Sequence, residues 1–190
     1  MTLDGQVERT ALVLMHLQDD ITTLFPVGDM TPFIARCAQA IETCRRAGVR
    51  IFFVNIRFSE DYREISARNR NGMWLKSMGS FRHGKVTPQI NLHEADVVLE
   101  AQRINVFLGT ALEAHLRAAN IDTLIMGGVT TSGVLVSSLP HASDLDYRVL
   151  AIRDCCYDPD SVAHEAIFAS AFSTRAEIIS VQNLPALLRV

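Results

Sequence analysis

Short apolar runs punctuate the chain at regular intervals. Residues 11–15 (A-L-V-L-M) are continuously apolar, which is the pattern of a strand covered on both faces, as in a parallel sheet. Similar runs recur at 51–56, 96–99, 123–126, 149–152 and 177–181, so six strands are expected. Between the first two lies 31–47, where Phe33, Ile34, Cys37, Ala38, Ile41 and Cys44 fall at helical spacing. Thr31 can cap that helix, Pro32 suits its first turn and Gly48 can terminate it. Weaker helical patterns occupy 112–119, the segment after Thr131, 161–172 and 184–188. Strand and helix alternating in this way argue for right-handed crossovers. The expected fold is therefore α/β, a doubly wound, six-stranded, mostly parallel Rossmann-like sheet in the order 3-2-1-4-5-6, with helices on both faces.

One stretch breaks the alternation. Residues 58–91 are polar and rich in Arg, Ser and Gly, with Met73, Trp74, Leu75 and Phe81 embedded. A connection this long inside a compact domain is usually a functional loop, a lid or a subunit contact. No repeat or linker divides the chain, and 190 residues with 48% hydrophobic side chains suit one domain, 1–190, with one well-buried core.

Charge narrows the partners. A net charge of -3, from 18 basic and 21 acidic residues, leaves no basic field for a phosphate backbone, so nucleic acid is not expected. No apolar run reaches the length of a membrane span, and the opening M-T-L-D-G-Q-V-E-R-T lacks the features of a secretory signal. A cytoplasmic protein without membrane contact is expected. The four cysteines (Cys37, Cys44, Cys155, Cys156) show no C-x-x-C spacing and fit reduced thiols.

In open α/β sheets ligands bind beyond the carboxyl ends of the strands. The residues placed there are 16–20, Arg57 and the loop it opens, 103–107, 129–134 and 154–158. The segment 127–138, G-G-V-T-T-S-G-V-L-V-S-S, follows a strand and enters a helix, the shape of a loop that presents a nucleophile, yet it holds no cysteine.

Four stretches together resemble the isochorismatase-like superfamily, the fold shared by nicotinamidases, N-carbamoylsarcosine amidases and isochorismatases. They are A-L-V-L-M-H-L-Q-D-D-I from Ala11, R-I-N-V-F-L-G-T-A-L from Arg103, G-V-T-T-S-G-V-L-V-S-S from Gly128 and Y-R-V-L-A-I-R-D-C-C from Tyr147. The family counterparts of the first three read A-L-L-V-I-D-M-Q-N-D-F, R-Y-S-A-F-x-G-T-x-L and G-x-x-T-x-x-C-V-x-x-T. The resemblance spans nearly the whole chain. It implies hydrolysis of a small metabolite, a homodimer or homotetramer, and a non-proline cis peptide at 129–130.

Amide-cleaving members share an Asp, Lys and Cys triad, in which a thiolate attacks, a carboxylate carries the proton and an ammonium holds both in register. Carried over residue by residue, the motifs place His16 at the Asp, Ala101 at the Lys and Val134 at the Cys. The resemblance therefore implies a covalent route that these side chains cannot run. The reading that follows is a hydrolase homologue acting, without a cysteine nucleophile, on a small anionic or cyclic metabolite. Its alternative is an inactive member that binds a ligand or a partner.

The candidate site comprises His16 as proton carrier, with Asp20 as a second acid, and Arg57 and Arg103 as anion clamps. Phe107, Thr131, Ser132, Gly133 and Val134 complete it, the last three through amides that can cradle an oxyanion. Each has a plainer reading. His16 can be a neutral core histidine, Asp20 a structural acceptor, Arg57 and Arg103 partners of local acids such as Glu100, and Cys155 and Cys156 inert packing. No cofactor and no metal are expected, because His83, His93, His115, His141 and His164 show no tight ligand spacing. Pro140 should kink or shorten the helix after Ser132.

Overall fold

In the computed structural model, which describes Leu3 and residues 6–190, six parallel strands form one sheet in the order β3-β2-β1-β4-β5-β6. The strands are β1 (Thr10–Met15), β2 (Arg50–Ile56), β3 (Val97–Ala101), β4 (Thr123–Val129), β5 (Arg148–Tyr157) and β6 (Glu177–Ile179). The helices are α1 (Asp19–Thr22), α2 (Val27–Ala47), α3 (Arg70–Ser77), α4 (Leu112–Ala118), α5 (Val136–Asp144), α6 (Ser161–Ile167) and α7 (Leu184–Leu188). One π-type segment, Thr131–Leu135, leads into α5, and another, Phe168–Phe172, continues α6.

The continuous apolar runs follow from two cores, one on each face of the sheet. Leu12 and Leu14 of β1 join Phe33, Cys37, Ile41 and Cys44 of α2 and Leu184 and Leu188 of α7. Ala11, Val13 and Met15, pointing the other way, join Leu112 and Leu116 of α4, Leu139 of α5 and Phe168 and Phe172. Because successive strand residues face opposite sides, a strand covered on both must be apolar at every position.

Several boundaries differ from the sequence reading, three of them for a visible local reason. Helix α2 begins at Val27, four residues before the Thr31 expected to cap it, because the Pro26 carbonyl accepts from both Asp29 N and Met30 N at 3.0 Å. Pro32 thus sits inside the helix and forgoes one backbone bond, which the apolar packing of Phe33 and Ile34 offsets. Strand β3 runs two residues beyond the expected 99, to Ala101 beside Ile56. Strand β5 extends to Tyr157, because its pairing with β4 jumps from Ala151 opposite Met126 to Cys156 opposite Gly128. The intervening residues bulge over Gly127, where a side-chain carbon would collide with the Cys155 carbonyl.

Pro140 lies within α5, which runs through it to Asp144. The stretch 58–91 contains α3, and it turns Phe58, Tyr62, Leu75, Phe81 and Ile90 into the core while Met73 and Trp74 face outward.

Candidate functional site

His16 follows β1 directly, with a left-handed backbone (φ 56°) and its N–H donating to the Val54 carbonyl at 2.8 Å. Its side chain is buried, and burial depresses the ring to about 3, opposed only by a hydrogen bond with the Val129 backbone. The imidazole is therefore neutral at physiological pH. Its Nε2 is buried with no hydrogen-bond partner.

Ala101 ends β3 and Val134 lies in the π-type segment after β4, 0% and 1% exposed. Val134 packs into the α4–α5 core with Leu135 and Leu139. His16, Ala101 and Val134 thus occupy the sheet's carboxyl edge as buried, uncharged groups. None of the three lines the clefts described below.

Asp20 is placed by Gln18, which sequence reasoning overlooked. Gln18 is fully buried; its Nε2 donates to the Ile56 carbonyl at 3.0 Å and to Asp20 Oδ1 at 2.5 Å, and its Oε1 accepts from Ile56 N at 2.7 Å. The side chain extends the β1–β2 ladder past the strand end. A glutamine closing an apolar strand was the available signal. Asp20 in turn orients the carboxamide, which is the structural role weighed for it.

The two arginines separate. Arg57 Nη1 donates to Glu100 Oε1 at 2.6 Å and its Nε to the Arg82 carbonyl at 3.2 Å, so it is engaged on the open edge of the sheet. Arg103 has no carboxylate partner among the described residues; its Nη1 reaches only the Gln102 carbonyl, at 2.5 Å. It lines a cleft of about 230 Å³ between α3, the β3–α4 connection and the start of α5. Asn69, Asn71, Gln102 and Ser137 also face this cleft, with Leu75 and Leu108 as its apolar wall. Phe107 is buried and stacked on His141 (centroids 5.3 Å) and Tyr147 (6.4 Å), and it is not part of this cleft's lining.

The turn after β4 is internally occupied. The Val129–Thr130 peptide is cis, as the resemblance implied. The Ser132 amide donates to Asp158 Oδ2 at 2.6 Å, and the Gly133 and Leu135 amides both reach the Thr130 carbonyl at 3.2 Å. An anion is indeed held here, but it is the protein's own carboxylate, whose Oδ1 also accepts from Asp160 N at 3.1 Å. Asp158 follows β5 immediately, and that position was the signal. Thr131 is fully buried, its Oγ1 2.8 Å from His164 Nδ1. Burial, with Arg153 nearby, lowers the His164 pKa.

Burial likewise holds thiol protons on: Cys44 is pushed up to about 12, and Cys37 and Cys156 are raised. Among the described residues no group of three or more His, Cys, Asp or Glu is placed to hold a metal ion, and no helix is long and apolar enough to cross a membrane. A second hollow, about 440 Å³ and walled by Phe25, Met30, Ile34 and Ala38, lies against α1 and α2 and has no basic group in its lining.

The comparisons agree with this architecture. Residues 10–183 match the isochorismatase domain, and the chain belongs to the isochorismatase family of hydrolases. It is 24% identical over 200 residues to the maleamate amidohydrolase of Pseudomonas putida, covering 97% of this chain and 89% of that one. It is 24% identical over 179 residues to a ureidoacrylate amidohydrolase of Acinetobacter baylyi, covering 82% and 73%. Its fold is similar to that of an isochorismatase family protein from Burkholderia thailandensis, with a TM-score of 0.83 at 19% identity over 96% of this chain and 97% of that one.

Proposed function

We propose that this hydrolase homologue takes a small, carboxylate-bearing metabolite into the cleft at Arg103 and forms no covalent intermediate with it. One observation carries the reading: a guanidinium without an acidic partner among the described residues lines a cleft, while Ala101 and Val134 can supply neither charge nor nucleophile. Arginine recognises carboxylates through paired N–H groups, and the carboxamides of Asn69, Asn71 and Gln102 offer further donors and acceptors. The cleft volume, below that of drug-sized sites, suits a small ligand. The names of the two relatives, maleamate and ureidoacrylate amidohydrolases, denote substrates that are small acids. On this reading the family's Asp, Lys and Cys positions are His16, Ala101 and Val134, and the thioester route is closed.

Calorimetric titration with maleamate, ureidoacrylate and succinate tests the reading, alongside intact-mass measurement of the protein. Arg103→Gln is expected to weaken binding about tenfold or more, with no mass adduct in either protein. An acyl adduct, or affinity indifferent to Arg103, would overturn it.

A second reading, hydrolysis by water, is favoured by the unpartnered Nε2 of His16. A base held at about 3 is too weak to take a proton from water near neutrality, so turnover requires that ligand entry hydrate the ring. Product formation that vanishes in His16→Asn while ligand affinity persists would establish this route. Binding without product leaves the first reading alone.

A further inference from the structure

The cleft at Arg103 shares Gln102, Arg103 and Leu108 with a second, wider hollow of about 450 Å³, whose lining adds Glu64 and Gly109. One acid and one base face this space, and no ion pair joins them. Arg103 Nη1 is turned to the Gln102 carbonyl. Glu64 is anchored from behind by Ser59, whose N–H donates to Oε1 at 3.2 Å and to Oε2 at 3.3 Å and whose hydroxyl donates to Oε1. That hydroxyl bond above all holds the Glu64 carboxyl below its usual range and so ionised. The adjacent Arg63 is committed to Asp61, with Nε to Oδ1 at 3.0 Å.

Opposite charges within reach of one another normally collapse into a pair or are left to solvent. Here the carboxylate is pinned to its own loop and the guanidinium lies across a hollow whose remaining wall is a carboxamide and the half-exposed Leu108. Such a surface complements a molecule carrying both charges on a short apolar stem.

We propose that the ligand is a small zwitterion whose carboxylate meets Arg103 and whose ammonium meets Glu64. This rests on the assignment of Arg103 as the carboxylate-binding group and adds a second point of recognition to it. Dicarboxylates then bind less well than amino acids of matching length, because Glu64 repels their far end.

The test is calorimetry with two series of probes, the ω-amino acids from glycine to 5-aminopentanoate and the n-alkanoates from acetate to pentanoate. At one chain length the amino acid is expected to bind about tenfold tighter than the alkanoate, a modest factor because both protein charges are partly exposed. Glu64→Gln should erase that advantage while leaving alkanoate affinity unchanged; the new carboxamide keeps a carbonyl to accept from Ser59, and an unchanged melting temperature checks that the loop persists. Glu64→Asp serves as the second variant, with the advantage expected to return at a longer probe. Equal binding of the two series at every length, or an advantage that survives Glu64→Gln, would reject the zwitterion and leave the anion site standing. Absence of any Arg103-dependent binding in both series would reject the anion site and the zwitterion together.

Discussion

Replacing His16 by Asn isolates the energetic cost of a buried neutral imidazole. The folded ring titrates at about 3 and an unfolded one near 6.5, so between those values the unfolded chain binds a proton that the folded chain refuses. Stability therefore falls as pH drops below 6.5, and the loss continues until the folded ring also protonates near 3. At pH 5 the deficit from this one group is about 2 kcal/mol, and fully developed it approaches about 5 kcal/mol. Asn tolerates the left-handed backbone of position 16, and its amide can keep a bond to the Val129 carbonyl, but it leaves a void. The variant should thus be less stable by about 1–3 kcal/mol at pH 7.5. That gap should shrink by about 2 kcal/mol on going to pH 5, because only the wild type carries the pH-dependent penalty. Urea unfolding at both pH values, followed by far-ultraviolet circular dichroism because Trp74 is 58% exposed and reports poorly on the core, measures the difference. His164, also lowered by burial, is common to both proteins and cancels. A gap of constant size across this range would mean that His16 is not a buried neutral group.

Other consequences are simpler to check. In the native protein none of Cys37, Cys44, Cys155 and Cys156 should react rapidly with a disulfide reagent at pH 8, and all four should react in denaturant, because every one is buried. Gly128→Ala should cost at least about 3 kcal/mol or abolish folding, since a methyl there overlaps the Met15 carbonyl oxygen at a φ of 152°. Gly28→Ala, at an exposed helical position with open space, should instead stabilise by about 0.4–1 kcal/mol, both glycine variants being measured by urea unfolding. Self-association through the outward face of α3 predicts a dimer or tetramer by light scattering, reduced to one chain by Trp74→Glu; a wild-type monomer at micromolar concentration would defeat it.

The fold was legible because its signals are local. Runs such as 11–15 and 124–126 are apolar at every position, and that pattern is dictated by burial on both faces wherever the strand lies in the sheet. The limits of β5 were not legible, since Arg153 and Asp154 interrupt its apolar run. Their side chains are satisfied by distant partners, Arg153 by Glu165 and Asp154 by the Val181 amide, and no local pattern encodes such pairings. The site divided in the same way. Strand ends located His16 and the 129–134 turn at the carboxyl edge and the family motifs pointed to Ala101 and Val134, but side-chain commitment decided between Arg57 and Arg103. Glu100 is two residues upstream of Gln102 in sequence yet reaches Arg57 across a strand pair, leaving Arg103 free to face the cleft. Phe107 carries the family spacing, but its stacking against His141 depends on a helix 34 residues later.

The bond from Ser132 N to Asp158 has a consequence for any anion that enters this turn. A carboxylate fixed to the same polypeptide competes with an incoming oxyanion at an effective concentration far above that of a free solute. Installing a thiol at position 134 would therefore leave a resident competitor on a neighbouring amide. Any external anion at this turn has to displace a tethered carboxylate 26 residues downstream of Ser132.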